Sequence, residues 1–184
     1  MIAGTARSIR LEAPGPGTRP LADRVKQTLF AILEPDLPGS RFLDLFAGSG
    51  AAGIEALSRG AAQATFVERD KAAAQVIHDN LVRTNLAGPA ARIVRAEAVA
   101  WARGLSEGPP ESFDVAVVDP PYADTAVLAS ALEAIGPHLV PGARVVAKHF
   151  WRDAPPERIG LLASERSRRF GETALTFYRR TEDA

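Results

Sequence analysis

Apolar residues in the middle of the chain fall into short continuous runs, each followed by a stretch in which they recur at helical spacing. Phe42-Leu43-Asp44-Leu45 reads as a buried strand, a glycine loop follows, and residues 51–59 read as a helix stopped by Gly60. Residues 64–68 form a second predicted strand. Asp70 then caps a helix whose Ala73, Val76, Ile77 and Leu81 share one face. Residues 91–95, 115–119 and 143–147 give three further strands, the last two separated by a helix over 125–135. Strands alternating with helices predict a parallel sheet covered on both faces, an α/β fold. The ends break this rhythm. Residues 1–20 hold three glycines and three prolines with little periodicity and read as a loose arm or short hairpin. Asp23 is placed to cap a helix over 24–34, where Val25, Leu29, Ile32 and Leu33 recur at helical spacing before Pro35 and Pro38-Gly39. At the other end, 160–169 and 173–180 read as two strands joined through Phe170-Gly171, a closing antiparallel hairpin. The chain divides into an N-terminal arm and helix over 1–38 and a larger α/β unit over 39–184, together one compact domain.

A chain of 184 residues is long enough for one domain and short for two. Zero cysteines remove disulfides, thiolate zinc sites and cysteine nucleophiles, and His78, His138 and His149 are widely spaced, so no metal is expected. No apolar run approaches the roughly 20 residues of a membrane helix, and MIAGTARSIR lacks the apolar stretch of a signal peptide. A cytoplasmic protein without membrane contact is the expectation. Twenty-two basic and 22 acidic residues cancel, but not evenly along the chain. Residues 1–30 hold five basic against two acidic, 31–143 eight against 14, and 144–184 nine against six. An acidic middle thus lies between two basic ends. Arg7, Arg10, Arg19, Arg24 and Lys26 make a basic arm, and Arg166, Arg168, Arg169, Arg179 and Arg180 a second cluster. Both suit phosphate, and both also suit an ordinary solvated surface.

The first chemical motif runs from Asp44 to Gly53 between a predicted strand and helix. Its Gly48-Ser49-Gly50-Ala51-Ala52-Gly53 is literally G-x-G-x-x-G, the spacing that lets backbone approach a nucleotide at a helix N-terminus. Glu68, ending the next strand 15 residues after Gly53, is placed to accept hydrogen bonds from the hydroxyls of an adenosine ribose. NAD and S-adenosylmethionine fit that acid equally. Asp44 separates them, since a carboxylate at the strand end repels a pyrophosphate and suits the cationic methionine part of S-adenosylmethionine. The candidate cofactor residues are therefore Asp44, Phe46, Ala47, Gly48, Ser49, Gly50, Glu68 with Arg69, and Glu97 with Ala98 after the third strand. Glu97 is read either as an acceptor for the adenine amine or as a helix-start glutamate.

The second motif is Asp119-Pro120-Pro121-Tyr122, closing the apolar run Val115-Ala116-Val117-Val118. Two prolines cannot extend a central strand, so they hold the backbone rigid with its carbonyls free to accept. This suits the methylation of an exocyclic amine on a base, a poor nucleophile because its lone pair is delocalised into the ring. If the Asp119 carboxylate and the Pro120 carbonyl each accept one N–H, the nitrogen is positioned toward an electrophilic methyl group. Tyr122 is placed to stack on a base that has left its helix. Ser49 has no histidine at a recognisable spacing, which argues against a hydrolase triad.

These residues resemble a known family. Asp119-Pro120-Pro121-Tyr122 with the Asp44 to Gly53 loop resembles the amino-methyltransferases of adenine, cytosine or guanine, whose signature is D/N-P-P-Y/F. More narrowly, Arg19-Pro20-Leu21-Ala22-Asp23-Arg24-Val25-Lys26-Gln27-Thr28-Leu29-Phe30 is similar to the R-P-T-x-D-R-V-R-E-x-L-F segment of the RsmD family. Residues 42–70 resemble that family's cofactor half, and Phe170-Gly171-Glu172-Thr173-Ala174-Leu175-Thr176-Phe177-Tyr178 its closing strand. The resemblance covers nearly the whole chain. It implies a Rossmann-like S-adenosylmethionine-dependent methyltransferase fold, with a seven-stranded, mostly parallel sheet and a C-terminal antiparallel hairpin. It also implies methylation of N2 of a guanine, guanine 966 in the RNA's numbering, in 16S ribosomal RNA of an assembling small subunit. Roles carry over to Asp119, Pro120, Pro121 and Tyr122 for chemistry and to Gly48, Gly50 and Glu68 for S-adenosylmethionine and its product S-adenosylhomocysteine. Arg10, Arg19, Arg24 and Lys26 are the RNA-contacting candidates, and a monomer is expected. The chain departs from the pattern at Leu21, where threonine is usual, at Glu97, where Asp or Asn is usual, and at Lys148, where an acid often follows the fifth strand. The residues alone leave guanine and adenine open, as they do a DNA amino-methyltransferase and a non-catalytic RNA-binding assembly protein.

Overall fold

In a computed structural model, which describes residues 1–13, 15, 23–105, 112–121 and 125–182, the alternation of the sequence becomes one mixed sheet. Its strands are β1 (Arg41–Leu45), β2 (Gln63–Val67), β3 (Ala91–Val94), β4 (Phe113–Val118), β5 (Leu139–Phe150), β6 (Arg158–Ile159), β7 (Leu162–Phe170) and β8 (Thr173–Arg180). They lie in the order β3-β2-β1-β4-β5-β8-β7-β6. The first five are parallel, and β8, β7 and β6 follow antiparallel as the closing hairpin and its edge. The expected count of seven strands is corrected to eight. The extra one, β6, is two residues long and pairs only with β7, too short to show any period. β5 also outruns the predicted 143–147, because antiparallel pairing with β8 carries it on to Phe150 opposite Thr173.

Helices α1 (Asp23–Leu33), α2 (Ala51–Ser58), α3 (Lys71–Arg83), α4 (Ala98–Gly104) and α5 (Thr125–Ile135) cover the sheet. One face packs Phe42, Val117, Val146 and Phe177 against α1 to α3 through Leu29, Phe30, Ile54 and Ile77. The other packs Leu43, Val118, Val145 and Tyr178 against α4 and α5 through Ala102, Leu128 and Leu132. The central strands are buried on both sides, which is why they read as continuous apolar runs. Asp70 caps α3 by accepting from Ala73 N at 2.8 Å, as predicted. Asp23 opens α1 instead of preceding it, and its side chain lies outside the described part. Of the short α4 the sequence offered only a possible start at Glu97, since seven residues of Ala, Val, Trp, Arg and Gly show little amphipathic period.

The N-terminal residues 1–13 are docked, where composition suggested a loose arm. Ile2 N and Ala3 N donate to the two oxygens of Glu55, which is fully buried on α2, and Ala6 N donates to Ser58 Oγ at 2.9 Å. Gly4, at φ 76°, lies so flat on α2 that a Cβ there would stand 1.7 Å from Ser58 O. No helix among the described residues is long and apolar enough to cross a membrane.

Candidate active site

The order of the sheet reverses between β1 and β4. From β1 the chain moves outward to β2 and β3, and from β4 it moves outward to β5 on the opposite side. Helices therefore leave these two parallel neighbours toward different faces, opening a crevice beyond their carboxyl ends, where ligands of open α/β sheets bind. The two chemical motifs of the sequence are the segments that follow β1 and β4. Asp119 N donates to Leu45 O at 3.3 Å, tying the strand ends together.

The loop after β1 is shaped by backbone conformation. Phe46 has φ 67°, Gly48 φ 55° and Gly50 φ 74°. For phenylalanine this left-handed geometry is strained, and strain of this kind persists only where surroundings enforce it. They do so here. Ala47 N donates to Val67 O at 2.9 Å, Gly50 N to Ala47 O at 2.7 Å, and Gly48 N to Glu68 Oε2 at 2.8 Å. The other oxygen of Glu68 accepts from Asp70 N at 2.8 Å, so the acid that ends β2 braces the loop and the start of α3 together. Gly53 has a packing role: a Cβ there would stand 2.3 Å from the Phe66 ring, so only glycine lets α2 sit this close to β2.

Asp44 lies beneath the loop at 2% exposure, with Oδ2 accepting from Gly53 N at 2.8 Å. It thus ties the first turn of α2 to β1. Burial pushes its carboxyl up to about 7, assisted by the nearby negative charges of Asp119 and Glu68 and opposed by the Gly53 hydrogen bond. Among the described residues no cation pairs with it. Asp119 is different. Lys148 Nζ, on β5, stands 2.7 Å from Oδ1 and 2.9 Å from Oδ2. Burial still raises the Asp119 carboxyl above its ordinary value, with Lys148 pulling it back down. Pro120 is buried and Pro121 exposed. Tyr122 lies outside the described residues.

The structure therefore brings together Asp44, the loop from Phe46 to Gly50, Glu68 and Asp119 at the carboxyl ends of the parallel strands. Glu97 caps α4, its two oxygens accepting from Val99 N and Ala100 N at 3.2 and 2.7 Å, while Ala98 is buried and Arg69 exposed. Arg10 and Arg24 are exposed and Lys26 is 8% exposed on α1. Arg19 lies outside the described residues. Sequence reasoning missed Asn80. Fully buried on α3, it donates from Nδ2 to Ser49 O and to Glu12 O, both at 3.0 Å, and accepts from Glu12 N at 2.8 Å. Its signal was an amide three residues after Ile77 on the apolar face of a helix. Lys148, left without an interpretation by the sequence, is the counter-ion of Asp119.

A family model described as Conserved hypothetical protein 95 matches residues 1–179. The chain is 36% identical over 185 aligned residues to "Putative rRNA methyltransferase YlbH" of Bacillus subtilis (strain 168), covering 98% of both chains. Ribosomal RNA small subunit methyltransferase D of Escherichia coli (strain K12) is 42% identical over 123 residues, 66% of this chain and 59% of that protein. Among solved structures, "Putative methyltransferase yhhF from Escherichia coli" superposes with a TM-score of 0.85 at 31% identity, over 100% of this chain and 98% of the other. With a family match over nearly the whole length and a relative aligned over 98% of both chains, the chain belongs to the RsmD family.

Proposed function

We propose that this chain is an S-adenosylmethionine-dependent methyltransferase that modifies the exocyclic N2 of a guanine, guanine 966, in 16S ribosomal RNA. The observation that carries the reading is the convergence of the glycine loop and Asp119-Pro120 at the point where the sheet order reverses. Two relatives named as rRNA methyltransferases support the substrate.

The residues present fit a cationic nucleoside. Asp44 is a buried carboxyl balanced near neutrality with no cation paired to it among the described residues, so a neighbouring ammonium and sulfonium would stabilise its ionised form. Each oxygen of Glu68 already accepts one backbone N–H, which leaves further lone pairs for ribose hydroxyls. Bound there, S-adenosylmethionine supplies an electrophilic methyl group on sulfur and leaves as S-adenosylhomocysteine. The chain's own part is positioning. Asp119 and the Pro120 carbonyl accept the two N–H groups of the base amine, which turns the nitrogen lone pair toward the methyl carbon. Lys148 favours the ionised form of Asp119, the form that accepts rather than donates. The proton that the nitrogen loses goes to Asp119 or to water. Tyr122 stacks on the base, and residues 1–38, with Arg10, Arg19, Arg24 and Lys26, contact the RNA, while 39–184 form the catalytic unit. The setting that follows is the cytoplasm, a single copy of the chain and an assembling small subunit.

The test is methyl transfer from labelled S-adenosylmethionine to small subunits from cells lacking the protein, followed by nucleoside analysis. Label in N2-methylguanosine, lost in Asp119→Ala while cofactor binding persists, is the expected result. Cofactor binding with no label on subunits or free RNA overturns the ribosomal assignment.

A further inference from the structure

The closing hairpin carries charge that the fold does not use. Along β7, residues 165–169 are exposed, and the register slips between Ser164 and Arg166, so that Ser164 stands opposite Tyr178 and Arg166 opposite Phe177. One extra residue, Glu165, is thereby accommodated. A bulge of this kind re-aims every side chain beyond it. With simple alternation Arg166 and Arg168 would share the face of Ser164 and Tyr178. With the bulge they stand opposite Phe177 and Leu175, on the face of the sheet that α1 covers.

That face leads to the active site. Leu175 stands opposite Arg168 on one side and Lys148 on the other, and Lys148 holds Asp119. Arg168, Leu175 and Lys148 form one row across three strands, which places the Arg168 and Lys148 backbones about 10 Å apart. Around the tip, the Arg169 guanidinium lies 3.6 Å from the centroid of the Trp151 ring and donates from Nε to Gly171 O at 2.8 Å. Arg152 lies 4.9 Å from the same ring, and Arg166 lies 5.2 Å from that of Phe177. Stacking fixes a guanidinium plane while leaving edge N–H groups free for an anion. Among the described residues Arg41, Arg59, Arg83, Arg144 and Arg179 are ion-paired. None of Arg152, Arg166, Arg168 and Arg169 is. Glu165, the acid within the run, is ion-paired with Arg144 and Arg179, and the Arg166 charge acts on it more weakly without an ion pair.

We propose that Arg152, Arg166, Arg168 and Arg169 form a binding surface for the phosphate backbone of the RNA strand leading into the active site. The proposal rests on the RNA-methyltransferase reading above and adds a second contact, on the closing hairpin, separate from that of the N-terminal arm. Guanidinium groups stacked on rings, as at Arg152, Arg166 and Arg169, beside an exposed Arg168 and with no carboxylate ion pair to any of the four, are the chemistry that phosphate selects. A membrane surface is disfavoured, because a lipid-binding face needs apolar residues to insert, and the exposed large hydrophobic residue found among the described ones, Val82, lies on α3.

The experiment compares wild type with R166Q/R168Q and R152Q/R169Q on small ribosomal subunits lacking the modification. Steady-state methylation and filter binding are measured at several salt concentrations, with thermal midpoint and S-adenosylmethionine affinity as controls for folding. Each pair is expected to raise KM for subunits about tenfold, to leave kcat within about twofold, and to make the salt dependence of binding shallower by about one to two in log–log slope. Lysine at the same positions restores most of the affinity. Folded variants with unchanged KM and salt slope overturn the arginine surface while leaving the proposed function standing. A wild-type protein that neither binds nor methylates the subunits overturns both.

Discussion

Burial drives the Asp119 carboxyl upward and Lys148 draws it down, and that balance decides whether the residue accepts or donates hydrogen bonds. Replacing the charge isolates its contribution. Asp119→Asn keeps the shape and is expected to lower kcat by about 10²–10³, the cost of removing one preorganised electrostatic contact, with donor affinity within about twofold. Lys148→Met acts differently, because it leaves the carboxylate in place without its counter-ion. The Asp119 carboxyl then rises further, so the acid limb of the rate profile moves to higher pH: activity falls most on that limb and is regained as the solution becomes more alkaline. A kcat profile of unchanged position in Lys148→Met shows that the ion pair does not govern the protonation of Asp119. The importance of Asp119 was legible in the sequence, since an acid followed by two prolines after an apolar run has few structural uses. Lys148 was not, because its partner lies 29 residues away and only the pairing of β4 with β5 brings them together.

At the scale of elements, the arm, the loop and α3 behave as one unit. Asn80 spends all three of its side-chain hydrogen bonds on them, two on the backbone of Glu12 and one on Ser49 O. Arg83, one turn further along α3, adds an ion pair to Glu12. Asn80→Ala leaves the Glu12 N–H and the Glu12 and Ser49 carbonyls without their partner, at about 1–3 kcal/mol. The expected outcome is a lower denaturant midpoint, faster proteolytic cleavage within residues 1–13 and weaker S-adenosylmethionine binding, all three together. Loss of stability with arm and cofactor affinity unchanged shows that Asn80 only fills space. The element types in the middle of the chain were readable from period alone, but the docking of the arm was not. It depends on Glu55 and Ser58, helix residues that look like solvated surface until α2 is laid on the sheet with its outer face turned to the N-terminus.

For the whole molecule, the raised carboxyls set the response to pH. In the native state Asp44 holds its proton up to about 7, whereas an unfolded chain releases it near 3.8. The native state therefore binds more protons between these values, so stability falls as pH rises through this window and levels off above it. The shift corresponds to roughly 4 kcal/mol for a group this buried, and Asp119 contributes with the same sign. Asp44→Asn, which retains an acceptor for Gly53 N, is expected to flatten the slope of stability between pH 4 and 7 and to gain stability over wild type at pH 8. In the wild type a cationic ligand reverses the penalty, so S-adenosylmethionine affinity rises through pH 7, an effect absent from Asp44→Asn. Denaturant titrations across pH with and without ligand check both statements. Identical slopes in the two proteins remove Asp44 as the cause.

What the sequence by itself determined is local: apolar runs that must be buried strands, glycines whose backbone other residues adopt only under strain, a capping aspartate, and two motifs whose chemistry follows from residue type and order. These depend on neighbours within a turn or a strand, and such interactions survive in a one-dimensional reading. Tertiary structure alone decided the rest. It set the order of the strands, and so the crevice where Asp44 and Asp119 meet. It also gave Asp119 its lysine, made Glu55 and Asn80 receptors for the arm, and used one extra residue in β7 to turn Arg166 and Arg168 toward the active-site side of the sheet. The physical reason is the same throughout. Burial, counter-ions and cross-strand registers are properties of pairs distant in sequence, and they come into being only when the sheet closes.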